Sequence, residues 1–209
     1  MLIGTLASIW RFPVKSGRGE RLDEVAVDAT GVRGDRTCAY FVASPGHART
    51  GKTYRGKENE RLHVVENHAG VLALAARDSI TLERRDGQRF FDDAPVSVLL
   101  DRWLEKLSAC VGYPVEPIRF RPNLFVRAVP DLGAGEVELQ GRTLSVGSVL
   151  LVVRYPIERC VVPTYDPAGG ASDPRILRFI AQERDIQMGV YCDVAQPGVA
   201  RVGDPVSSS

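Results

Sequence analysis

The sequence predicts a mainly β fold of the α+β class, a barrel or sandwich with a few flanking helices. Three observations predict it. Short apolar segments of strand length recur along the 209 residues. Most are closed by proline, glycine or an Asp-Gly pair. The regular alternation of strand and helix that builds a doubly wound sheet is missing.

Taken in order, Gly4 to Phe12 mixes small, β-branched and aromatic residues and stops at Pro13. Leu22 to Asp28 alternates apolar and polar residues and stops before Gly31, and Thr37 to Ala43 is a short apolar strand ended by Ser44-Pro45-Gly46. Ile80 to Arg85 closes on Asp86-Gly87, a hairpin signal leading into Arg89-Phe90-Phe91. Leu124 to Val129, Leu144 to Val153, Met188 to Val194 and Val199 to Val202 complete the strands, the last two meeting at Pro197-Gly198. One helix is read from Val96, Leu100, Trp103, Leu104 and Leu107 at helical spacing, with Asp92-Asp93 at its start and Asp93 as cap. A second opens at Asp173-Pro174, with Ile176, Leu177 and Ile180 facing the core. A third spans His68 to Arg77. Gly46 to Glu60 reads as a polar loop, and Ser207-Ser208-Ser209 as a frayed tail.

Composition excludes several functional classes. A net charge of +1 gives no global field to recruit nucleic acid or an anionic membrane. No apolar run is long enough to cross a bilayer, and the opening residues lack a signal-peptide pattern, so the expected address is the cytoplasm. Cys38, Cys110, Cys160 and Cys192 show no C-x-x-C spacing, which argues against a structural zinc or a chain-borne iron–sulfur cluster. Cys38, Cys110 and Cys192 read as packing residues. His47, His63 and His68 have no ligand spacing.

Gly46-His47-Ala48-Arg49-Thr50-Gly51-Lys52-Thr53 fits the phosphate-loop pattern G-x-x-x-x-G-K-[ST]. That loop works by aiming the backbone N–H groups of a following helix at phosphate. Here Gly56 interrupts the continuation and no parallel α/β pattern surrounds it, so nucleotide binding ranks last among the readings.

Two other words carry chemistry. Arg119-Phe120-Arg121-Pro122-Asn123 offers guanidinium forks suited to phosphate and planar anions, with a carboxamide. Arg159-Cys160 offers a soft thiol suited to a soft or high-valent metal. Phe12-Pro13-Val14-Lys15-Ser16, Gly34-Asp35-Arg36, the turn Thr164-Tyr165-Asp166-Pro167, Gly189-Val190-Tyr191 and the closing Pro197 to Val206 stand around them. In this order, over nearly the whole chain, these words resemble the MOSC family, named for the C-terminal domain of molybdenum-cofactor sulfurase.

The resemblance implies a MOSC-type β-barrel, residues 1–209 forming one domain in which a β-rich part, 1–92, intertwines with a cysteine-bearing barrel part, 93–209. It implies binding of the molybdenum cofactor, a Mo-pyranopterin with a terminal phosphate. By similarity to the amidoxime-reducing members, Lys15, Ser16, Arg36, Arg121, Asn123 and Tyr191 would line the cofactor site, and Cys160 would be the catalytic residue and metal ligand. Pro122 biases Arg121 toward extended backbone, and Arg159, alternating with Cys160, is expected to support the fold. Glu158, beside these two, would bring a carboxylate toward the cofactor if it faced inward. The expected activity is oxidoreduction of N-hydroxylated or similar small substrates, fed by a separate electron-donor protein, since the chain carries no flavin, haem or iron–sulfur module. Sulfur transfer through a Cys160 persulfide, and non-catalytic carriage of the cofactor, are the alternatives.

Overall fold

The computed structural model describes residues 1–55, 61–132 and 135–209. Its strands, in chain order, are β1 (Leu2–Arg11), β2 (Glu20–Leu22), β3 (Glu24–Asp28), β4 (Gly31–Val32), β5 (Cys38–Val42), β6 (Leu82–Asp86), β7 (Val96–Leu100), β8 (Leu124–Ala128), β9 (Thr143–Val146), β10 (Val149–Glu158), β11 (Gln187–Gln196), β12 (Gly198–Arg201) and β13 (Pro205–Ser208). Three α-helices accompany them: α1 (His68–Arg77), α2 (Arg102–Val111) and α3 (Pro174–Glu183).

Seven strands close a barrel in the order β13-β9-β10-β11-β7-β8-β1, with β1 pairing back onto β13, and β2 extends the end of β1. All these pairings are antiparallel except β7 with β8. The expected β-barrel is therefore the observed one, and its closure draws the first strand in beside the last. The interior is filled by inward residues such as Ile3, Leu6, Ile9, Val96, Val98, Leu124, Leu151 and Val190. A second apolar cluster joins β5 to α1 through Tyr40, Val42, Val71 and Leu74. A third packs α2 and α3 together through Leu104, Leu107, Ile176 and Ile180, with Leu99 and Met188 in the same cluster.

The sequence reading needs correction in five places. Val96 to Leu100 is not the first turn of a helix but a strand, buried at every position. A continuous apolar run bears the same signature in a buried strand as in a helix face, and the helix begins only at Arg102. Asp93 accordingly caps nothing; its carboxylate accepts from the Tyr155 hydroxyl. Asp86-Gly87 ends β6 without starting a hairpin, because β6 pairs with β5 and the following residues are taken by another segment: Phe90 N–H donates to the Arg36 carbonyl at 2.8 Å. The terminal serines are not frayed, since β13 pairs with both β1 and β9 and Ser208 is buried. Cys110 is exposed, whereas Cys38 and Cys192 are packing residues as read.

The helix at Asp173-Pro174 forms as its signal predicts. Asp173 accepts from the Arg175 N–H at 2.9 Å and Pro174 occupies the first turn. Arg175 holds the Asp173 carboxyl well below the usual carboxylate range. Asp173→Ala is expected to cost about 1 kcal/mol, the usual value of an N-cap, seen as a lower denaturant midpoint at unchanged slope. The cap's contribution is present above the ordinary carboxylate pKa and is lost in strong acid as Asp173 protonates.

Candidate functional site

A cavity of about 310 Å³ opens at one end of the barrel, at the small end of the range for small-molecule sites. The sequence words that were far apart converge on it. Lys15 and Ser16 arrive from the turn after β1, Arg36 from the segment before β5, Arg121 from the turn before β8, Cys160 from just beyond β10 and Tyr191 from β11; all six line the cavity.

Three of these residues hold left-handed backbone conformations: Ser16 at φ 65°, Arg36 at φ 48° and Arg121 at φ 53°. Among the described residues only six non-glycine positions do so, and half of them line one cavity. Such conformations persist only where the surroundings enforce them, and they gather at functional sites. The extended backbone expected for Arg121 is thus overturned. Pro117–Phe120 forms a single 3₁₀ turn, and Arg121 terminates it in the left-handed region, its N–H donating to the Ile118 carbonyl at 3.0 Å. Proline at 122 disfavours the right-handed helical region for its predecessor, and the turn chose the left-handed alternative over the extended one.

The guanidinium groups are held from behind. Phe12 is fully buried, and the Arg121 and Arg36 guanidinium carbons lie 4.2 and 5.0 Å from its ring centre. Asp35, also buried, accepts from Phe12 N–H at 2.7 Å and from the Arg36 side chain, which explains why Asp precedes Arg in the Gly34-Asp35-Arg36 word. Arg121 Nη1 donates to the Gly17 carbonyl at 2.6 Å and to His63 Nδ1 at 3.2 Å. Its Nη2 is buried with no hydrogen-bond partner among the described residues. Burial and the neighbouring Arg36 charge pull the Arg121 pKa down to about 9. A buried cation short of partners is costly, so this position favours an anion.

Arg159 fulfils its expected structural role while also lining the cavity. Its Nε donates to the Met188 carbonyl at 2.7 Å and its Nη1 to the Phe120 carbonyl at 2.9 Å. It thereby ties the segment just beyond β10 that bears Cys160 to the turn that presents Arg121. The third word of this network, Gly189-Val190-Tyr191, needs its glycine: φ is 81°, and a Cβ there would lie 2.9 Å from both Arg159 Nη2 and the Val98 carbonyl oxygen. Cys160 itself is exposed and free.

Asn123 differs from the other expected site residues. It is fully buried and does not line the cavity. Its Oδ1 accepts from Ser97 N–H and Oγ, each at 3.1 Å, and its Nδ2 donates to the Trp10 carbonyl at 3.3 Å. It pins the cavity-lining Ser97 to β1 from behind.

Sequence reasoning missed His63, Asp92, Thr53 and Arg55, which also line the cavity. His63 had no spacing to mark it. Asp92 was read as part of a helix start, yet its carboxylate accepts from Lys15 Nζ at 2.8 Å. Thr53 and Arg55 come from the segment that mimicked a phosphate loop. There Thr53 bridges to Phe41 and Gly51 N–H donates to the Val42 carbonyl at 2.8 Å; no helix begins within 51–55, so the nucleotide reading loses its essential part. Residues 56–60, the rest of the expected loop, lie outside the described residues. Glu158 does reach the cavity. The cavity lining carries five cations, Lys15, Arg36, Arg55, Arg121 and Arg159, against two carboxylates, Asp92 and Glu158. Among the described residues no three His, Cys, Asp or Glu side chains cluster as a metal site, and no helix is long and apolar enough to cross a membrane.

The structure is thus a closed β-barrel with a cation-rich cavity whose lining includes an exposed thiol. Residues 85–207 match the MOSC domain, and residues 3–105 match the MOSC N-terminal beta barrel domain. The chain belongs to the MOSC family. In fold it is similar to the crystal structure of the YUAD protein from Bacillus subtilis, at a TM-score of 0.58 and 15% identity over 98% of this chain and 94% of that one. It is also similar to a hypothetical protein of known structure, at a TM-score of 0.52 and 12% identity over 99% of this chain and 69% of that one. No curated protein matches it in sequence.

Proposed function

We propose that the chain binds the molybdenum cofactor in this cavity and acts as a molybdenum-dependent oxidoreductase on N-hydroxylated or similar small substrates. One observation carries the reading: a partner-short, buried Arg121 guanidinium shares a single cavity with Lys15, Arg36 and the free Cys160 thiol. The residues fit the group. Lys15, Arg36 and Arg121 offer charge and donors to its phosphate and pterin edge, Ser16 and Tyr191 add hydroxyls, and Cys160 as thiolate is a suitable molybdenum ligand. Asn123 acts behind them by fixing Ser97. The bound group supplies the redox chemistry; the chain binds it, orients it and leaves an approach past Cys160. Electrons would come from a separate donor protein.

The exposure of Cys160 favours a second reading, sulfur transfer through a persulfide on that thiol. Metal and pterin analysis of the purified protein separates the two. Molybdenum and pterin in equal amounts, with molybdenum lost in Cys160→Ala while the melting temperature holds, is the result expected. Cyanide-releasable sulfur on Cys160 without molybdenum supports the second reading, and neither result removes both.

A further inference from the structure

The cavity that gathers cations also holds a carboxylate in their midst. Asp92 Oδ1 sits 2.8 Å from Lys15 Nζ, and its side chain is 71% exposed where that of Lys15 is 24% exposed. The charges acting on Asp92 are those of Lys15, Arg36 and Arg121, and Asp92 in turn acts on Tyr191. The backbone around it is held on both sides, by Phe90 N–H on the Arg36 carbonyl and by the Asp93 carbonyl, which accepts from Arg154 Nη1 at 3.1 Å. Asp35 is unlike it: that carboxylate is buried, is shared between a backbone N–H and Arg36, and belongs to the frame. Asp92 instead projects into the cavity from a fixed backbone and holds an ammonium group.

We propose that Asp92 is a built-in competitor of the anion this cavity takes, and so sets which anions it accepts. The inference rests on reading the cavity as an anion site. A carboxylate presents to Lys15 the same charge and acceptor geometry that an incoming oxyanion presents. Lys15 cannot serve both fully, and an anion that enters beside Asp92 meets a like charge a few ångströms away. A small free oxyanion has little else to hold it and is rejected. A larger anionic molecule, whose heterocycle also engages Arg36, Arg121 and Tyr191, has enough contacts to displace the carboxylate from Lys15. Asp92 therefore separates an extended anionic ligand from the inorganic phosphate and sulfate of its surroundings.

Titration calorimetry with inorganic phosphate tests this on the whole chain, comparing the native protein with Asp92→Asn, which keeps the size and removes the charge. The variant is expected to bind phosphate about tenfold more tightly, equivalent to about 1.4 kcal/mol, with no change in melting temperature beyond that of an exposed ion pair. The gain should vanish when Lys15→Met is added to Asp92→Asn. Equal or weaker phosphate binding by Asp92→Asn overturns the proposal, as does tighter binding that survives Lys15→Met. If the native protein purifies with molybdenum and pterin while Asp92→Asn leaves phosphate affinity unchanged, the cofactor reading stands and this one falls.

Discussion

Glu136→Ala is expected to destabilise the chain by about 3–5 kcal/mol, the range for removing one partner of a buried ion pair. Glu136 is 1% exposed and receives the Arg184 guanidinium, itself 12% exposed. Arg184 also lies over Trp103, its guanidinium carbon 3.6 Å from the ring centroid. The other oxygen of Glu136 accepts from Gly189 N–H at 3.1 Å. Alanine would leave a buried guanidinium without its counter-charge and a buried N–H without an acceptor. The damage would spread to the site, because Gly189 touches the space of Arg159 and precedes Tyr191 by two residues. Denaturant unfolding measures the loss, and a value under about 1 kcal/mol would show that the pair is not what holds this corner. Removing Arg184 as well, in Glu136→Gln with Arg184→Met, should restore part of the stability, since the cost lies in the stranded charge.

The second large effect is a loss of stability between neutral and mildly acid pH that depends on His63. Burial and the adjacent Arg121 charge hold the imidazole pKa down to about 3 from an ordinary 6.5. The neutral ring accepts from Arg121 through Nδ1, which places its proton on Nε2. The folded chain therefore refuses a proton that the unfolded chain accepts. Stability is complete above the unfolded value of 6.5 and drains away as pH falls toward 3. By about pH 4 the deficit should approach 3 kcal/mol at 1.36 kcal/mol per pH unit. Carboxylates with lowered pKa values begin to contribute only below about pH 5, so the window from 6.5 to about 5 isolates the histidine. Urea unfolding at several pH values across that window reads it. His63→Gln preserves an acceptor for Arg121 and cannot titrate, so its profile should be flat there; a native profile equally flat would refute the assignment.

Much of the fold was legible because strands and helices write local signatures. The alternation in β3, the apolar runs of β8 and β11 and the Asp173-Pro174 start of α3 each needed no distant partner to be read. The failures share a cause. Val96 to Leu100 looks the same as strand or helix until its neighbours β8 and β11 are known. Pro205 to Ser208 carries little hydrophobic signal, and it becomes a strand because two neighbours supply its hydrogen bonds. Gly87 bends the chain but starts no hairpin, because the competing capture of Arg89 and Phe90 by the segment around Arg36 decided what followed.

The site divides along the same line. Residue chemistry and word order, by themselves, determined the family, the barrel, and Lys15, Ser16, Arg36, Arg121, Cys160 and Tyr191 as candidates, since guanidinium, ammonium, hydroxyl and thiol groups announce what they can bind. Only the tertiary structure decided that these six face one cavity, that Asn123 stands behind it, and that His63 and Asp92 face into it. Closing a barrel brings strand ends together regardless of their separation along the chain. The left-handed turns at Ser16, Arg36 and Arg121 then fix where each side chain points, and no local pattern in the sequence encodes either constraint.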